Sequence, residues 1–215
     1  MERFWVMLAS AALAGCAGPD QDARTGVHLV DDLATWSGSD RSVVNAVIEI
    51  PAWTRAKWEV DRVGGDLRWD MLDGRRRVIG HALPYPANYG MIPRTIESEA
   101  KGGDGDPLDV IVLGDRLERG QVVSARVIGI MRMRDHGETD DKIIAVHLAD
   151  TRVGSLETLE ELARRYPGTV EILEMWFANY KCKTPGVVEI LGSEGAISGR
   201  LAVQEAHADY ARLDR

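Results

Sequence analysis

The stretch Asp104-Gly105-Asp106-Pro107-Leu108-Asp109 sets three carboxylates within six residues, directly before the apolar run Val110-Ile111-Val112-Leu113. In an extended segment side chains two apart share a face, so Asp104 and Asp106 should point together. Pro107 fixes its own φ and turns the chain, which lets Asp109 swing back to meet them. Carboxylates this close raise one another's pKa values and call for countercharge. Hard divalent cations with oxygen ligands provide it, magnesium best and manganese as a substitute. The plain alternative is an ordinary Asp-Gly turn. Where an EF-hand needs further oxygen ligands and a closing Glu, this chain has an apolar run and Gly114-Asp115. Gly102-Gly103 does not lead into the Gly-Lys-Ser/Thr of a nucleotide phosphate loop.

The elements around this stretch must hold it still. From Val43 to Val153, short β-rich runs alternate with Gly, Asp and Pro punctuation. Val43–Ile50, Lys57–Val60, Asp66–Trp69, Arg77–Ile79, Val110–Leu113, Val122–Arg134 and Lys142–Leu148 all read as strands. Ser155–Arg165 reads as a helix capped by Ser155 and ended by Pro167-Gly168. Val170–Lys181 repeats the helical period, with Trp176 and Phe177 assigned to the core, and Glu194–Leu213 reads as a further helix. Strands first and helices after predict an α+β, mainly β domain built as a small antiparallel barrel, and exclude a Rossmann-type alternation.

The chain's 215 residues, 45% hydrophobic and 28% charged, suit one globular domain. A net charge of −8 and a pI near 5.2 leave no basic excess for nucleic acid or anionic lipid. Residues 4–15, FWVMLASAALAG, are too short to span a bilayer, which takes about 20 residues, but suit the apolar part of a secretory signal. Leu13-Ala14-Gly15-Cys16 resembles a bacterial lipobox. That resemblance implies a signal peptide over 1–15, a lipid on the Cys16 thiol, a linker to residue 42 and a domain over 43–215. It places the protein at the membrane on the periplasmic side or outer membrane, the alternative being the cytoplasm. With Cys16 lipidated only Cys182 remains, so no intramolecular disulfide is available.

Further motifs follow in order. They are Ile48-Glu49-Ile50-Pro51, Lys57-Trp58-Glu59-Val60-Asp61, Tyr85-Pro86-Ala87-Asn88-Tyr89-Gly90, the acidic stretch, Asp135-His136-Gly137-Glu138-Thr139-Asp140-Asp141-Lys142 and Tyr180-Lys181. Together, over about 43–181, they resemble the family I soluble inorganic pyrophosphatases, and the 51–57 and 137–140 runs resemble the eukaryotic-type branch. The resemblance implies a five-stranded OB-like barrel with C-terminal helices, in a homo-oligomer. It implies metals on Asp104, Asp109, Asp135 and Asp140, with Asp106 set against the attacking water. Lys57, Arg77, Tyr89, Lys142, Tyr180 and Lys181 would bind pyrophosphate, backed by Glu49, Glu59 and Tyr85. Arg77 is preferred over Arg75 and Arg76 because Arg77-Val78-Ile79 matches the family's strand start. His136 stands where an acid is usual.

Such a site would hydrolyse pyrophosphate, a small polyanion whose oxygens repel a nucleophile. Metals and cations neutralise it, and Asp106 takes the proton. The rival readings are a lipid-tethered module that binds cations or polyphosphate without turnover, and a hydrolase of another diphosphate. Outside the cytoplasm, the expected role is phosphate scavenging.

Overall fold

Apolar runs become strands here because both of their faces find cover. In the computed structural model, which describes residues 26–181 and 186–213, the strands are β1 (Val43–Ile50), β2 (Trp58–Val60), β3 (Leu67–Trp69), β4 (Met71–Leu72), β5 (Arg75–Arg76), β6 (Asn88–Met91), β7 (Asp109–Leu113), β8 (Val122–Asp135), β9 (Glu138–Thr139), β10 (Lys142–His147) and β11 (Val188–Gly195). Helices α1 (Leu159–Arg165) and α2 (Thr169–Asn179) precede β11, and α3 (Ala196–Tyr210) follows it. Cys16, the leader over 1–15 and Cys182 lie outside the described residues.

Five strands close into a ring in the order β1-β6-β7-β10-β8, with β8 pairing back onto β1. Four joins are antiparallel and the fifth, β7 to β10, is parallel. This is the expected mainly β, OB-like architecture, adjusted at that one join. Successive residues of β10 enter two different cores. Ile144 and Val146 pack with Leu159, Leu162, Leu173, Trp176 and Phe177 of α1 and α2, whereas Ile143 and Ala145 pack with Val203 and Ala206 of α3. The period of two is visible in the packing but hidden in the sequence, since both faces are apolar.

Several boundaries differ from the sequence reading. Arg77–Ile79 is no strand: Val78 makes only an isolated bridge to Ala56, and Arg75 and Arg76 belong instead to a small hairpin with Met71 and Leu72. The cap of α1 is Thr158, not Ser155. Thr158 Oγ1 accepts the Glu161 N–H at 3.1 Å, so the cap lies three residues later than expected, and the Glu161 carboxylate reaches one residue past it, to the Glu157 N–H. The supposed linker also folds onto the ring before residue 42. Leu29 and Val30 are buried against Val47, Trp58 and Leu67, and Thr35 donates to the Pro93 carbonyl. The stretch is polar on average, and its few apolar residues are the ones that pack.

Candidate active site

Parallel pairing of β7 with β10 sets Asp109 directly beside Lys142, and antiparallel pairing of β6 with β7 sets Met91 across from Asp109. The first residues of two neighbouring strands therefore meet at one place. Lys142 Nζ donates to both Asp109 and Asp140, and its side chain is 2% exposed. Burial alone would lower the pKa of that amine, but Asp109 and Asp140 hold it well above its usual range. Burial pushes the Asp109 carboxyl up, opposed by Lys142.

Asp104 and Asp106 sit in the loop before β7. They do not share an extended face as expected: Asp104 Oδ1 accepts the Asp106 N–H at 2.8 Å, closing a turn with Gly105 at φ 80°. Glu97 pins this loop through two backbone bonds, its N–H to the Asp106 carbonyl and its carbonyl to the Gly105 N–H, both 2.8 Å. Arg62 donates to the Gly105 carbonyl and lies 3.5 Å from Asp106 Oδ1. Loss of hydration in the cavity, then the charge of Asp104, raises the Asp106 carboxyl to about 6, with Arg62 acting against both.

All the other expected residues arrive at the same cavity, which measures about 450 Å³. Glu49 at the end of β1, Lys57 and Glu59 around β2, Arg77, Tyr85, Tyr89, Asp135, Asp140, Tyr180 and Lys181 line it together with Asp104, Asp106, Asp109 and Lys142. Arg75 and Arg76 do not. Lys57 pairs with Glu59, and Asp70 accepts Arg77 Nη1 at 2.9 Å and lies 3.7 Å from Lys57. Lys181 donates to Asp135, whose other oxygen lies 2.7 Å from His136 Nδ1. Burial would raise Asp135, yet these two neighbours hold it below the ordinary carboxylate value. Glu49 is buried, its carboxylate taking the Val60 N–H at 2.7 Å, and burial together with the Asp109 charge drives its pKa well up. Burial likewise raises the Tyr85, Tyr89 and Tyr180 hydroxyls, so they stay protonated donors.

Sequence reasoning missed three participants. Glu97, Asp104 and Asp140 offer carboxylate oxygens within 4.8 Å of one another, and this hard, all-oxygen donor set fits magnesium or manganese. Burial raises the Glu97 carboxyl to about 9, with Lys142 opposing and the neighbouring aspartates adding. Glu97 stands alone between motifs, and no spacing signal marks it. Arg62 and Asp70 follow the Lys57 motif closely, and only the folded hairpin reveals what they touch.

The family model for inorganic pyrophosphatase matches residues 46–211. The chain is 34% identical to the inorganic pyrophosphatase of Schizosaccharomyces pombe, over 70% of this chain and 56% of the relative, and 33% identical to that of Homo sapiens, over 66% and 54%. It thus spans little more than half the length of these relatives. Among solved structures it resembles the type I inorganic pyrophosphatase of Toxoplasma gondii, with TM-score 0.81, 29% identity and coverage of 87% of this chain and 89% of that one. It also resembles the inorganic pyrophosphatase of Thermus thermophilus, with TM-score 0.72, 30% identity and coverage of 86% and 99%.

Proposed function

The chain belongs to the inorganic pyrophosphatase family, and from that premise we propose that it hydrolyses inorganic pyrophosphate to two phosphates. The observation that carries this reading is the convergence of four cations, Lys57, Arg77, Lys142 and Lys181, with the carboxylates of Asp104, Asp106, Asp109, Asp135 and Asp140 on one cavity. Magnesium, or manganese in its place, is the cofactor that suits the cluster; when bound it supplies charge neutralisation and acidifies water. Glu97, Asp104 and Asp140 would hold it, with Asp109 and Asp135 at neighbouring positions.

The chain's own groups do the rest. Asp106, with a carboxyl near 6, is ionised at neutral pH and can accept a proton from the attacking water. Arg77 presents a planar fork to phosphate oxygens, with Asp70 fixing its direction. Lys57, Lys142 and Lys181 add point charges, and Tyr89 and Tyr180 donate hydrogen bonds without charge. Glu49, Glu59 and Tyr85 stand behind these groups and hold their orientation. The test is phosphate release from magnesium pyrophosphate compared with nucleoside diphosphates and short polyphosphates. Preference for pyrophosphate supports the reading, preference for a larger diphosphate moves the substrate, and no turnover leaves a binding module.

The leader and Cys16 support a second part of the proposal, a lipoprotein tethered outside the cytoplasm and scavenging phosphate from pyrophosphate there. Globomycin should then block processing of the precursor, and Cys16→Ser should release the protein from membranes; unchanged behaviour in either test would sink the anchor. The family likeness also favours a homo-oligomer, which sedimentation would reveal.

A further inference from the structure

Asp141 lies between Asp140 and Lys142, and the alternation of extended chain sends its side chain away from the cavity that those two line. On that far side it is buried and bonded throughout. Its Oδ1 accepts the Met133 N–H at 3.1 Å and its Oδ2 accepts Arg132 Nη1 at 2.6 Å. Arg132 then forks onto Glu194, through Nε at 3.1 Å and Nη2 at 3.2 Å. The entry to β10 is thereby fastened to β8 and, through Arg132, to β11.

The near side leads to the carboxylate cluster. Asp141 donates its own N–H to Glu97 Oε1 at 3.1 Å, in buried surroundings. Asp140 donates its N–H to the carbonyl of Met133, the same residue whose N–H the Asp141 carboxylate holds. Two of the three clustered carboxylates, Glu97 and Asp140, therefore take their positions from a segment that Arg132 and Glu194 clamp from behind. We propose that Asp141, held by Arg132 and Glu194, is a positioning residue that sets the spacing of Glu97 and Asp140 and so the affinity of the site for divalent cations.

This inference rests on the metal-dependent reading above. A carboxylate's outer hydrogen-bond partner typically changes metal affinity by about 10–100-fold. The rival role is a plain ion-pair chain that stiffens the sheet, whose loss would lower the melting temperature without changing cation affinity. Charge sign separates positioning from through-space electrostatics. Removing Arg132 takes away a positive charge, which by Coulomb's law alone would tighten cation binding, whereas loss of positioning would weaken it.

The experiment is Mn²⁺ binding to the full chain by electron paramagnetic resonance, without substrate, for wild type, Arg132→Met, Arg132→Lys and Asp141→Asn, with thermal melts alongside. Asp141→Asn keeps the N–H to Glu97 and an oxygen for Met133. Arg132→Met and Asp141→Asn should each weaken the tightest site by about tenfold or more, and Arg132→Lys should recover most of that loss. Unchanged or tighter binding in Arg132→Met, even with a lowered melting temperature, would overturn the inference. Should Arg132→Met fail to fold, Arg132→Gln removes the same positive charge and tests the same link: weaker binding supports it and unchanged or tighter binding overturns it. Wild type without any Mn²⁺ site would overturn the metal-dependent reading itself and this inference with it.

Discussion

The Asp104 carboxylate accepts the backbone N–H of Asp106 at 2.8 Å, so two acids that are near neighbours in sequence hold different positions in one turn. Asp104 faces Glu97 and Asp140, and Asp106 opens toward the cavity beside Arg62. Asp104→Asn preserves an oxygen for the turn but removes ligand charge. Phosphate release by this variant should need at least about tenfold more magnesium for half-maximal rate, which a magnesium titration at saturating pyrophosphate would measure.

Lys142 pairs with both Asp109 and Asp140, and it is almost completely buried. Replacing it with Met leaves two partly buried carboxylates without countercharge, a loss of up to about 3–5 kcal/mol. Urea unfolding in chelator at pH 8 should show that loss, and it should shrink as the pH is lowered and the raised Asp109 carboxyl protonates. In the wild type the folded pKa of Lys142 lies above its ordinary 10.5, so its contribution is complete below that pH and is lost only as pH climbs through the folded value.

Asp150 behaves oppositely. Burial would raise its carboxyl, but N–H groups of Arg152, Asp115 and Val153 and the Arg152 side chain lower it from 3.8 to about 2. Its stabilisation is therefore present above 3.8 and disappears as pH falls toward 2. Melting temperatures of wild type should drop across that window, and Asp150→Asn should show a shallower drop there from a lower plateau.

Gly90 sits opposite Ile48 in the ring, where a Cβ would lie 1.8 Å from the Val47 carbonyl oxygen. Backbone cannot yield as a side-chain tip does, so β1 and β6 would have to separate. Gly90→Ala should cost more than about 4 kcal/mol, at the extreme of single substitutions, read as loss of the cooperative urea transition or of soluble protein.

The same glycine explains part of what the sequence concealed. Asn88–Met91 reads as turn punctuation because Pro86 and Gly90 flank Tyr89, yet close approach of β1 requires Gly90 inside a strand. β11 is hidden because only Val188, Ile190 and Leu191 are apolar before Gly-Ser-Glu-Gly, and as an edge strand it needs no more. Ser155 and Thr158 are chemically equivalent caps, and the choice between them depends on where Leu159 and Leu162 reach the core. By contrast β1, β8, β10 and the two long helices were legible, because their apolar runs are long enough to declare a period. At the site, motif residues were legible in type and order. Their neighbours Glu97, Arg62 and Asp70 were not, since each is defined by a contact across the fold.

The central claim is turnover of pyrophosphate with Asp106 taking the proton, and the direct measurement is phosphate release from magnesium pyrophosphate by wild type and Asp106→Asn side by side. Rapid release by wild type, reduced about 10²- to 10⁴-fold in a folded Asp106→Asn variant, is the predicted result. No release by wild type with magnesium or manganese, or equal rates in the two proteins, would contradict the account.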